Sequence, residues 1–163
     1  MFGVVAVGAA IAAVVVATTG GHAAAAPTDD PGAFAVDTVR KIVQNRYADA
    51  WDTLHPVDKS VAPKREYVRC ENRSRFTATF VRARVGHVGD ESVGLGNGRF
   101  VDSKAVEVLV TLRAASAPRF VVRHTVHLVV ADGKWTWILP AWRYGYFRDD
   151  ICPTSPSAPA SPS

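Results

Sequence analysis

Sulfur is scarce in this 163-residue chain: it has two cysteines and one methionine, and residues 1–28 hold no Asp, Glu, Lys or Arg. Two cysteines 82 positions apart, with no histidine at ligand spacing from either, exclude a zinc motif. The glycine-rich run Gly94-Leu95-Gly96-Asn97-Gly98 lacks the following Gly-Lys-Ser/Thr and the strand-to-helix setting of a phosphate loop, so it reads as a turn. No serine sits in a nucleophile-elbow sequence. Residues 153–163 contain only Pro, Thr, Ser and Ala, too little apolar surface to order a tail. The composition is otherwise that of a globular chain, and the length between these ends suits one domain, placed at 26–152.

The uncharged N-terminus is informative in its own right. Residues 2–17 are continuously apolar, a Thr-Thr-Gly-Gly break follows, and Ala23-x-Ala25 offers a cleavage site. Residues 1–25 therefore read as a secretory signal peptide without a basic n-region, the rival being a retained anchor. Export implies an oxidising compartment, where Cys70 and Cys152 form a disulfide. Closing a loop of roughly 80 residues restricts the unfolded chain by about 4 to 4.5 kcal/mol. The expected location is secreted or cell-envelope, outside the cytoplasm.

Asp30-Pro31 is a helix start, with Asp as N-cap and Pro at the first helical position. Apolar Val36, Val39, Val43, Tyr47, Ala50/Trp51 and Leu54 then recur at steps of three and four, which predicts one amphipathic helix of about 22 residues ended by Pro56. Pro63 opens a shorter second helix through Lys64-Arg65-Glu66-Tyr67-Val68-Arg69-Cys70-Glu71-Asn72-Arg73. After Ser74 the period falls to two, predicting strands over 76–85, 104–113, 119–130 and 134–139. A parity slip near Phe80 predicts a β-bulge, and 86–98 reads as a flexible excursion. Asp132-Gly133 is a type I′ hairpin signal that sets Val130 opposite Trp135, Leu128 opposite Trp137 and Val126 opposite Leu139. Helices followed by an antiparallel meander with one apolar face define an α+β fold.

The segment Tyr47-Ala48-Asp49-Ala50-Trp51-Asp52-Thr53-Leu54-His55-Pro56 resembles the nuclear transport factor 2-like superfamily, as do Pro63…Tyr67-Val68-Arg69-Cys70-Glu71, Thr125-Val126-His127 leading to Gly133-Lys134-Trp135-Thr136-Trp137-Ile138-Leu139-Pro140, and Tyr144…Tyr146…Cys152-Pro153. The pattern is that of small exported bacterial proteins and covers about 30–153. The resemblance implies a cone: a long N-terminal helix and a short second one on a curved antiparallel sheet of about four to five strands, enclosing a pocket open at its wide end. Ketosteroid isomerase and scytalone dehydratase, similar in fold, place Asp, His and Tyr there as acid and base. No motif of this chain aligns with those residues, so none is carried over, and fold alone does not define activity.

Val122, His124, Val126, Leu128, Trp135 and Trp137 are the candidate pocket lining, either around a small apolar ligand or filling the cone themselves. His124 is the ionisable group on that inward parity and the weak candidate for a base, with Asp37 or Asp49 of the first helix as its carboxylate. Trp142, Tyr144, Tyr146 and Phe147 either rim the pocket or pack near the disulfide. Residues 58–84 carry a net +5 and the rest a net −1. Lys59, Lys64, Arg65, Arg69, Arg73 and Arg75, with Arg82 and Arg84, thus form either a solvated face or a patch for an anionic envelope surface. Stacking aromatics and nucleic-acid motifs are missing from it. The expectation is an exported, cofactor-free and metal-free binding or interaction module, monomeric or homodimeric. The alternative is a cofactor-free isomerase or hydrolase using His124 with a first-helix carboxylate.

Overall fold

The computed structural model describes residues 27–115 and 118–153, so the signal or anchor segment and the tail beyond Pro153 lie outside the described residues. Asp30 caps the first helix α1 (Pro31–Val43) as expected, its carboxylate accepting from the Gly32 and Ala33 amides. The helix does not run on to Leu54. Asn45 takes a left-handed φ of 59°, the Arg46 amide donates to the Lys41 carbonyl and the Asn45 amide to that of Ile42. This is a Schellman ending, and the single helix expected from periodicity is two: α1, and α2 (Tyr47–Asp52). The apolar period survives the break because both helices turn the same face inward, burying Ala35, Val39, Val43, Tyr47 and Ala50.

Pro56 ends one helix and starts another, α3 (Pro56–Val61), where His55 Nδ1 accepts from the Val57 amide. Next come α4 (Lys64–Glu71) and a single 3₁₀ turn, Asn72–Ser74, where the second helix was expected to continue. Four strands follow: β1 (Thr79–Gly94), β2 (Phe100–Arg113), β3 (Arg119–Ala131) and β4 (Lys134–Trp137), joined in order as an antiparallel meander. The last element is α5 (Ala141–Arg148). The protein is thus α+β, with a four-stranded antiparallel sheet and five α-helices among the described residues.

The bulge expected near Phe80 is present between Phe80 and Arg82, and a second lies between Val85 and His87. The expected excursion over 86–98 is instead mostly strand, paired from His87–Glu107 to Gly94–Phe100. Glycines carry no alternation signal, yet their amides and carbonyls pair as well as any. At the tip Gly96 lies flat against the Tyr144 ring, where an added Cβ would overlap the ring carbons. The Asp132-Gly133 turn has φ of 51° and 71°, and Val130–Trp135 and Leu128–Trp137 pair as expected. The third expected pair, Val126–Leu139, does not form. After Trp137 the chain leaves the sheet, because Trp137 bridges Leu54 and its carbonyl accepts from the His55 amide.

The core lies between the helices and one sheet face, where Leu54, Tyr67, Val106, Val108, Val110, Leu128 and Trp137 are all buried. Burying side chains of this size contributes about 1.5 to 3 kcal/mol each. The opposite face buries a smaller cluster of Leu95, Val129 and Ile138. Cys70 and Cys152 are disulfide-bonded, with Cα atoms 5.0 Å apart, tying the chain after α5 to α4. Among the described residues no helix is long and apolar enough to cross a membrane.

Candidate functional site

Because β4 is only four residues long, it pairs with β3 from Leu128 to Ala131, the Ile138 amide adds one bond to the His127 carbonyl, and β4 does not reach the residues of β3 before His127. The inward face of β3 therefore changes character along its length. Leu128 is 0% exposed and Val126 4%, but Val122 and Phe120 are each 41% exposed. The apolar wall continues past the helices that would cover it. What it borders is a cavity of about 1130 Å³.

The floor is the inward face of β3, where Val122 and His124 pair with Val110 and Val108 of β2. Thr38 and Ile42 of α1 form one side. Residues 74–78, between α4 and β1, form a second, and residues 137–143, running into α5, a third. The cavity also wraps the free edge of β3, so His127, of opposite parity, lines it as well.

Two distant hydrogen-bonded anchors hold these irregular walls in place. Asn45 Nδ2 donates to the Phe76 carbonyl at 3.1 Å and the Phe76 amide donates to Asn45 Oδ1 at 2.9 Å. Tyr47 adds its hydroxyl to the same oxygen at 2.7 Å. On the other wall, the buried Asp58 carboxylate accepts from the Leu139 amide at 3.2 Å. Burial pushes the Asp58 pKa up to about 7, the Leu139 amide acting against the shift.

The polar groups of the cavity are cationic on balance. Arg143 of α5 meets Glu71 of α4 in a close ion pair with side chains 22% and 9% exposed. Arg143 Nε and Glu71 Oε1 are themselves buried without a hydrogen-bond partner among the described residues. Arg75 is exposed on the second wall. Burial lowers the Arg143 pKa, with the Tyr67 and Tyr47 hydroxyls opposing. His124 is open to the cavity yet hemmed in by protein, and desolvation, then His127, holds its pKa below the ordinary value.

Of the six candidate lining residues, Val122, His124, Val126 and Trp137 lie on this wall. Leu128 and Trp135 do not. Leu128 is sealed under the helices, and Trp135 turns its indole N–H to the Asp29 carbonyl at 2.8 Å. The carboxylates considered as partners of His124 are elsewhere too: Asp37 pairs with Arg40 and Lys41, and Asp49 with Arg46. Among the described residues the one carboxylate on the wall is Glu71.

The aromatic segment after Pro140 is a helix. Trp142 faces the cavity, whereas Tyr144 and Phe147 are buried, Phe147 beside Tyr67 at 5.8 Å between ring centres. The basic stretch is partly self-neutralised: Lys64 pairs with Asp52 and Arg69 with Glu66, and Lys59 sits 4.8 Å over the Trp51 ring. Cys70, Cys152 and Glu66 bring their ligand atoms within 4.8 Å of one another, but disulfide sulfurs are not thiolates and do not hold a metal.

Sequence reasoning misses Glu71, Arg75 and Arg143 as cavity residues. Arg75 reads only as surface charge, and Arg143 lies in a helix whose aromatic spacing gives no clear period. No family model matches the chain, and no curated protein matches it.

Proposed function

We propose that this chain is an exported ligand-binding module of the nuclear transport factor 2-like cone type, working without catalysis outside the reducing cytosol. One observation carries the reading: a cavity of about 1130 Å³ opens where the apolar face of β3 outruns its helices. A volume of this order is that of ligand sites, which are mostly apolar with a few polar groups. Phe120, Val122, Phe100 and Trp142 are each more than 40% exposed there, a grouping that a chain with no use for it would have covered or replaced. Helices on one face of a meandering sheet support the cone, and the Cys70–Cys152 bond supports an oxidising location. The isomerase or hydrolase alternative draws no such support, since the wall's carboxylate is tied to Arg143.

The test is saturable binding of Nile red, a neutral dye that brightens in apolar surroundings, to the oxidised protein. The expected result is one saturable site that is lost in Val122→Trp, where the larger side chain fills the cavity from an exposed position. Absence of saturable binding, or binding untouched by that substitution, refutes the reading.

A further inference from the structure

Resting on the cavity reading, we propose that the ligand is an amphiphile with an anionic head, the head held by Arg143 and Arg75 and the apolar body lying along Phe120, Val122 and Trp142. The polar wall is asymmetric. Glu71, Ser74, Arg75 and Arg143 come from the α4–β1 connection and from α5, while β3 offers Phe120, Val122 and Val126. Arg75 and Arg143 both line this cavity, and Asn45 fixes the Tyr47 hydroxyl and the backbone next to Arg75 together.

Charge is unbalanced at this end. Two guanidinium groups face one carboxylate, and Arg75 has no ion pair among the described residues. The Arg143 side chain, 22% exposed, lines the same cavity as Arg75. A carboxylate or phosphate gives these guanidinium groups a charge-assisted bond, the strong kind that they favour. A neutral apolar ligand would strip water from the same arginines and return nothing. A cationic head would face net positive charge. The shared chemistry is an acidic head on an apolar body.

The experiment is displacement of Nile red from the oxidised full chain by dodecanoate, dodecyl phosphate, dodecan-1-ol and dodecyltrimethylammonium, the ionic probes below their micelle concentrations and the alcohol below its solubility limit. The acids should bind about tenfold more tightly than the alcohol, and the cation most weakly. The two acids separate a carboxylate head from a phosphate one. Arg75→Gln, at an exposed position, should shrink the acid-to-alcohol ratio several-fold. The double variant Glu71→Gln/Arg143→Gln, which removes both charges so that neither is stranded, should shrink it likewise. Equal binding of acid and alcohol, or a ratio that both variants leave intact, overturns the anionic head while the cavity stands. Failure of every probe to displace a saturably bound dye overturns the amphiphile, whereas absence of saturable dye binding overturns the cavity reading itself.

Discussion

The Asn45 side chain grips the Phe76 backbone on both sides, accepting from its amide and donating to its carbonyl across 31 positions of sequence. The same residue, in its left-handed conformation, ends α1. One asparagine thus sets where the helix stops and where the segment carrying Arg75 begins.

Replacing Asn45 should therefore separate two effects. Asn45→Gly keeps the backbone conformation but loses the grip, and should cost about 1 to 2 kcal/mol for the unpaired backbone groups. Asn45→Ala loses both and should cost about 1 kcal/mol more. Urea denaturation measures the difference; equal losses would mean that the left-handed turn carries no strain.

Cys70→Ser and Cys152→Ser should each lower stability by about 2 to 5 kcal/mol under oxidising conditions. Reductant should bring the wild type down to the level of the variants. Identical melting curves in all four cases would show that the bond contributes nothing to stability.

Asp58 makes stability depend on pH in an unusual direction. Its folded pKa, about 7, lies above the 3.8 of an ordinary aspartate, so the folded state holds its proton longer than the unfolded one. The resulting stability is complete below pH 3.8 and is lost as pH rises to about 7. His55 and His124, both lowered by burial, slope the opposite way, losing stability as pH falls. The comparison with Asp58→Asn isolates the aspartate, because Asn still accepts from the Leu139 amide. The wild type should lose a few kcal/mol relative to this variant between pH 4 and 7, each tenfold difference in proton affinity being worth about 1.4 kcal/mol. A pH-independent difference contradicts the assignment.

Gly96→Ala should be destabilising by about 1 to 3 kcal/mol, since its Cβ would enter the Tyr144 ring. The effect should shrink when Tyr144 is also changed to Ala, giving a non-additive cycle. Full additivity would mean that hairpin tip and α5 do not touch.

What the sequence made legible was local. The Asp132-Gly133 reversal, the Asp30 cap and the Phe80 bulge each rest on neighbouring residues, and each is present in the structure. What it hid was set by partners far along the chain. Asn45 reads as one more polar helix position until Phe76 reaches it. The strand through Gly86 and Gly94 is invisible to alternation and exists because β2 pairs with it. Phe120 and Val122 look like ordinary inward residues of β3. They line a cavity because β4 ends at Trp137, which pairs with Leu128 on one side and bridges Leu54 on the other, so the strand covers only the end of β3. Arg143 matters through Glu71, 72 positions earlier.

The Cys70–Cys152 bond bears on the order in which the molecule is completed. Synthesis is vectorial, so Cys70 emerges 82 residues ahead of its partner and must wait, reduced or transiently paired with something else, until nearly the whole described chain is out. The same delay applies to residues 137–143. A nascent chain arrested before them carries the residues of α1 to α4 and of three strands, yet lacks one wall of the pocket.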